Sequence, residues 1–143
     1  MPEERKSVQI IWKDGRVTNA NVVCSDDYET FRLSLEFDNQ IITKTGHSFF
    51  HSLQEIRREL DERKILLNCY GASRNVRPSG MSISMGGGVK AYKLTLGTKP
   101  APSDDIVDIF ETGVDVQPVT VAQQEKFFEE WLRSNKLPIP KRN

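Results

Sequence analysis

The sequence predicts a single α+β domain, with a mostly antiparallel sheet in the order βββαβββα and helices packed on one face. Three observations carry this. Phe31, Leu33, Leu35 and Phe37 alternate with Arg32, Ser34 and Glu36, the period of two of a strand with one face buried and one solvated. Phe49, Leu53, Ile56 and Leu60 recur at helical spacing, with Gln54, Glu55, Arg57, Arg58 and Glu59 filling the other face. The chain has 143 residues, 37% of them hydrophobic, which suits one ordinary core. The domain is expected to span 1–143, with 7–134 ordered and 135–143 an extended tail.

Taken in order, Val8 to Trp12 reads as the first strand, and Lys13-Asp14-Gly15-Arg16 as a hairpin turn. Val17 to Cys24 pairs back and places Ala20, Val22 and Cys24 on one side. Ser25-Asp26-Asp27 turns into the alternating strand, which completes a three-stranded meander. The helix that follows starts from Ser52, Ser48 or Thr45, each of a type that caps helices. Ile65 to Tyr70 returns to strand character, and Val89 to Leu96 is the next strand. Lys99-Pro100-Ala101-Pro102-Ser103 is a loop, because proline cannot donate ladder bonds. Ile106 to Phe110 reads as a strand, with a short helix capped from Ser103 or Asp104 as the alternative. A last helix begins at the capping-box pair Thr120 and Gln123, carries Phe127, Phe128, Trp131 and Leu132, and stops near Asn135.

Charge and composition narrow the function. Twenty basic and twenty acidic side chains cancel, which argues against duplex nucleic acid or an anionic membrane as partner. No segment approaches the roughly 20 apolar residues of a membrane helix, and the opening Met1-Pro2-Glu3-Glu4-Arg5-Lys6 leads into no apolar run. Cys24 and Cys69 sit in strand-like patterns as small buried hydrophobes. A cytoplasmic protein without cofactor is expected.

Ser79-Gly80-Met81-Ser82-Ile83-Ser84-Met85-Gly86-Gly87-Gly88 holds four of the nine glycines. Between two strand-like segments it reads as a mobile, wide hairpin connection or bulged loop. Successive amides there can also form an anion nest. Walker and dinucleotide fingerprints do not fit, since both need the loop to open a helix. Arg74, Arg77 and Lys90 are the nearest cations, and arginine's planar fork suits carboxylate or phosphate. Met81 and Met85 add adaptable apolar surface suited to a protein partner. The candidate binding residues are therefore Arg74, Arg77, Ser79, Gly80, Met81, Met85, Gly86, Gly87, Gly88 and Lys90.

Other constellations carry less. His47 and His51 have the spacing of a zinc-protease helix, but Ser48 stands where that motif has glutamate, and there is no third histidine. No metal site is expected. Ser79 lacks a nucleophile-elbow context, and Asp104, Asp105, Asp108 and Glu111 read as charges flanking an edge strand. The run from Leu67-Asn68-Cys69-Tyr70-Gly71-Ala72-Ser73-Arg74 through Pro78-Ser79-Gly80-Met81, Met85-Gly86 and Ala91-Tyr92 resembles a signature of small uncharacterised bacterial proteins. The ending from Thr120 to Leu132 resembles the close of the same group. The resemblance implies a compact bacterial cytoplasmic protein and brings no activity with it. The expected function is a non-enzymatic binding protein, an immunity or adaptor protein meeting a protein partner through the Gly/Met segment and its arginines. A small-ligand or nucleotide-binding domain, or a hydrolase whose residues meet only in the fold, are the alternatives.

Overall fold

Strand β1 (Glu4–Ile11) turns through Asp14-Gly15 into β2 (Val17–Asp26), with Val8 opposite Ala20 and Ile10 opposite Thr18. The turn closes by Trp12 N–H donating to the Arg16 carbonyl at 2.8 Å, and Gly15 takes φ +91°, a conformation that glycine adopts without steric cost. The computed structural model describes residues 3–27 and 29–139, without the side chains of residues 102 and 103. The Ser103 cap and the last four residues of the expected tail lie outside them.

The alternating strand is β3 (Phe31–Phe37), which sets Leu33 against Cys24 and Leu35 against Val22. A fourth strand, β4 (Gln40–Gly46), extends the expected meander. Its hairpin turn is Asp38-Asn39, with φ +47° and +58°, the doubly left-handed geometry whose twist matches a two-residue hairpin. Helix α1 (Phe49–Glu62) starts at Ser48, whose hydroxyl accepts the His51 amide. It lays Phe50, Leu53, Ile56 and Leu60, each at most 1% exposed, over the inner sheet face. Strand β5 (Leu66–Leu67) then pairs with β1, giving the sheet order β4-β3-β2-β1-β5.

A 3-10 turn at Tyr70–Ala72 replaces the end of the strand expected over 65–70. A second small sheet follows: β6 (Val76–Arg77), β7 (Lys90–Lys93) and β8 (Ile106–Asp108), in the order β6-β7-β8. Between β6 and β7 lies helix α2 (Gly80–Gly86), and one turn of helix, α3 (Pro102–Asp105), leads into β8. The final helix, α4 (Val121–Ser134), begins at the expected capping box, with Gln123 N–H on the Thr120 hydroxyl and Thr120 N–H on Gln123 Oε1. Asn135 closes it.

Every strand pairing among the described residues is antiparallel, and the α+β class is as the sequence indicates. The corrections are local: two extra strands, β4 and β6, two extra helices, α2 and the single turn α3, which begins within the expected 99–103 loop, and a division of the strands between two sheets. The main core joins the five-stranded sheet, α1 and the second sheet, while Leu94, Phe127, Trp131 and Leu132 form a smaller cluster under α4. A polar bridge joins the two helices. Buried Arg57 of α1 donates to Gln124 Oε1 at 2.5 Å and to the Val119 carbonyl at 2.9 Å.

Candidate functional site

The glycine-rich segment is a helix held at both ends, not the open hairpin loop that its composition suggests. Ser79 starts α2 by accepting the Ser82 amide at 3.1 Å. Gly87 ends it at φ +67°, and the amides of Gly87 and Gly88 both turn back to the Ser82 carbonyl. A left-handed glycine just past the last turn is the usual way to recover orphan carbonyls. The same glycines tie α2 to the main core. Gly87 accepts the Phe49 amide at 2.6 Å, and a Cβ there would come within 2.6 Å of the Phe31 ring. The Ser82 hydroxyl donates to the Lys90 carbonyl at 2.5 Å, which fastens α2 to β7. Since the Gly87 and Gly88 amides are already bonded, this segment does not present them to an anion.

Anchored in this way, α2 turns Met81 and Met85 outward while Ile83 stays half-buried. No residue of the helix is buried; Met81 is 72% exposed and Met85 81%. Beside them Ile106 of β8 is 45% exposed. α2 contacts β7, and β7 and β8 pair Tyr92 with Ile106 and Lys90 with Asp108. Met81, Met85, Ala91, Tyr92 and Ile106 line a shallow groove of about 300 Å³, with Lys90 as the one charged side chain in its wall. Of these lining residues the expected set contains Ser79, Met81, Met85, Gly86 and Lys90. It lacks Ser82, Ala91 and Tyr92, which lie within or beside the same segment, and Ile106, which only the pairing of β8 with β7 brings in.

The two arginines lie elsewhere. Arg77 is only 18% exposed at its side chain, pairs with Glu125 at 2.5 Å, and lies over the Phe128 ring at 4.3 Å and the Phe50 ring at 5.4 Å. It braces α4 against β6 and α1. Arg74 is exposed and covers the Phe127 ring at 5.0 Å. Of the three expected cations, Lys90 alone borders the groove. The wider depression between α1 and α4 is lined by mixed charges, among which Arg77 pairs with Glu125 and Arg58 with Glu55 at 3.2 Å.

The Ser48 hydroxyl meets His51 Nδ1 at 2.6 Å, a serine–histidine contact of suitable length, but Ser48 is fully buried and its oxygen caps α1. The two histidine rings lie with centroids 3.8 Å apart and planes tilted by 34°. His47 precedes the helix rather than sharing its face, since α1 begins at Phe49. Burial above all, then His47 and Arg77, lower the His51 pKa to about 4. Burial also raises Cys24 to about 12 and Cys69 to about 11, leaving both as neutral thiols. Among the described residues no three histidine, cysteine or carboxylate side chains are grouped to hold a metal ion.

The expected acidic cluster is dispersed. Asp105 accepts the Ala101 amide, while Asp108 turns inward to Lys6 at 3.6 Å and Lys90 at 3.9 Å. Among the described residues no helix is long and apolar enough to cross a membrane. No protein-family model matches this chain, and no curated protein matches it in sequence.

Proposed function

We propose that the protein is a non-enzymatic binding module, of the immunity or adaptor kind, acting in the bacterial cytoplasm. Its contact surface is the groove between α2, β7 and β8. The observation that carries this reading is a helix that buries none of its own side chains yet is fixed at both ends, with two methionines facing solvent. Exposed methionine is soft and adaptable, and a contiguous apolar patch is where a soluble protein meets a partner. Burying each methionine against a partner contributes roughly 1.5–3 kcal/mol before the cost of association. Gly80, Gly86, Gly87 and Gly88 belong to the frame that presents the patch. Arg74 and Arg77 lie outside this surface and pack on α4.

The anion-nest alternative receives no support from the bonded Gly87 and Gly88 amides. The hydrolase alternative receives none from buried Ser48 or the raised thiols. The test compares capture of partners from source-cell lysate by the unaltered chain and by Met81→Gln/Met85→Gln. Glutamine keeps helix propensity near that of methionine, so the thermal midpoint should move by no more than about 2 °C, as for other surface changes. A protein retained by the first and lost by the second is the expected result. Equal retention by both, at equal stability, refutes the surface.

A further inference from the structure

We infer that the occupant of the α2–β7–β8 groove is an apolar segment of a partner protein bearing a carboxylate, seated with that carboxylate on Lys90. This rests on the binding-module reading and adds the chemistry of the partner. The groove wall offers Met81, Met85 and Ile106 as apolar contacts and Lys90 as its single charge. The Lys90 side chain is 66% exposed.

That ammonium is poorly compensated inside the protein. Its nearest carboxylate is Asp108, whose Oδ1 accepts the Phe110 amide at 2.9 Å. The remaining oxygen, Oδ2, is shared by Lys6 at 3.6 Å and Lys90 at 3.9 Å. Both distances exceed a direct charged hydrogen bond of about 2.7–2.9 Å. Lys6 also reaches Glu4 at 3.9 Å and lies over the Phe110 ring. Among the described residues Lys90 has no such second contact, and it forms part of the groove wall. Tyr92, also in the wall, makes no hydrogen bond through its hydroxyl among the described residues.

The ligand lies with its carboxylate at Lys90 and its apolar side chains along Met81, Met85 and Ile106. From Lys90 to Tyr92 the strand advances about 7 Å, and seven-residue α2 is about 10 Å long. An extended stretch of about three residues fills that length.

The experiment uses the full chain and two labelled synthetic peptides, one of leucine and glutamate and one with lysine at each glutamate position, followed by fluorescence anisotropy. The glutamate peptide should bind the unaltered protein, lose about tenfold on Lys90→Glu through lost attraction and new repulsion, and weaken as salt rises. The lysine peptide should prefer the Lys90→Glu protein. Equal binding of both peptides to both proteins overturns the carboxylate assignment while leaving the apolar surface standing. No binding of the glutamate peptide overturns the assignment too, and the lysate comparison with Met81→Gln/Met85→Gln then decides the surface itself. Self-association of the chain that this double variant abolishes makes the occupant a second copy and overturns the inference.

Discussion

Replacing Gln124 by glutamate swaps one amide nitrogen for oxygen and should destabilise the fold, although it hands buried Arg57 a carboxylate. Gln124 is 1% exposed. Its Nε2 donates to the carbonyls of Gly71 at 3.1 Å, Ser73 at 2.9 Å and Val76 at 3.0 Å, while its Oε1 accepts from Arg57 Nη1 at 2.5 Å. The arginine independently serves the Gly71 carbonyl at 3.1 Å and Val119 at 2.9 Å. In Gln124→Glu an acceptor faces the Ser73 and Val76 carbonyls. Two buried carbonyls left without this donor cost about 1–3 kcal/mol each. The new ion pair returns little, because a buried pair roughly breaks even against its desolvation. A net loss of about 3 kcal/mol, or roughly 10 °C in thermal midpoint for a chain of this size, is expected. Urea unfolding at pH 7 followed by tryptophan fluorescence and circular dichroism reads it, with Trp131 reporting on α4. Gln124→Met, which loses the donors without adding an acceptor, should be no less stable than Gln124→Glu. A glutamate variant as stable as the unaltered protein would show that the Arg57 charge, and not the three carbonyls, governs this bridge.

Two further predictions concern the frame of the site. Gly87→Ala should cost about 1–3 kcal/mol, because φ is +67° and the new Cβ meets Phe31 and Phe49; Gly80→Ala, with open space around it, should be neutral or slightly stabilising by thermal melts. His51, held near pKa 4 in the fold against 6.5 ordinarily, binds its proton more readily when unfolded. Its contribution is therefore complete above about pH 6.5 and lost as pH falls towards 4. The half-buried ring limits the loss to about 1–2 kcal/mol after solvent screening. Urea midpoints at pH 7 and pH 4.5 should diverge less in His51→Gln than in the unaltered chain, and equal divergence would refute this.

What could be read from the sequence was local. The Phe31–Phe37 alternation, the Asp14-Gly15 turn and the Thr120/Gln123 box are each determined within a few residues, and each forms as expected. Strand β4 escaped because its turn uses Asp38 and Asn39 at positive φ without a glycine, and because Ile41 points out, 67% exposed, next to buried Ile42. Helix α2 escaped for a different reason. Its glycines, serines and isoleucine are weak in helix propensity, so the helix depends on its two ends. Those ends were visible in principle: Ser79 before the segment and a glycine run after it are a cap and a left-handed stop.

Arg77 measures how far such reading extends. Next to a glycine-rich segment an arginine suggests an anion contact, yet its partners Glu125 and Phe128 lie about fifty residues downstream on α4. Removing that side chain takes away an ion pair and two ring faces at once, so Arg77→Ala acts on stability before it acts on binding. Lys90 is the reverse case. Its strand pairing gives it half a carboxylate oxygen, shared with Lys6, and nothing more. Under the function proposed above, a charge left under-compensated at the edge of an apolar groove is what separates Lys90 from the bracing Arg77, and only the register of β7 against β8 reveals it.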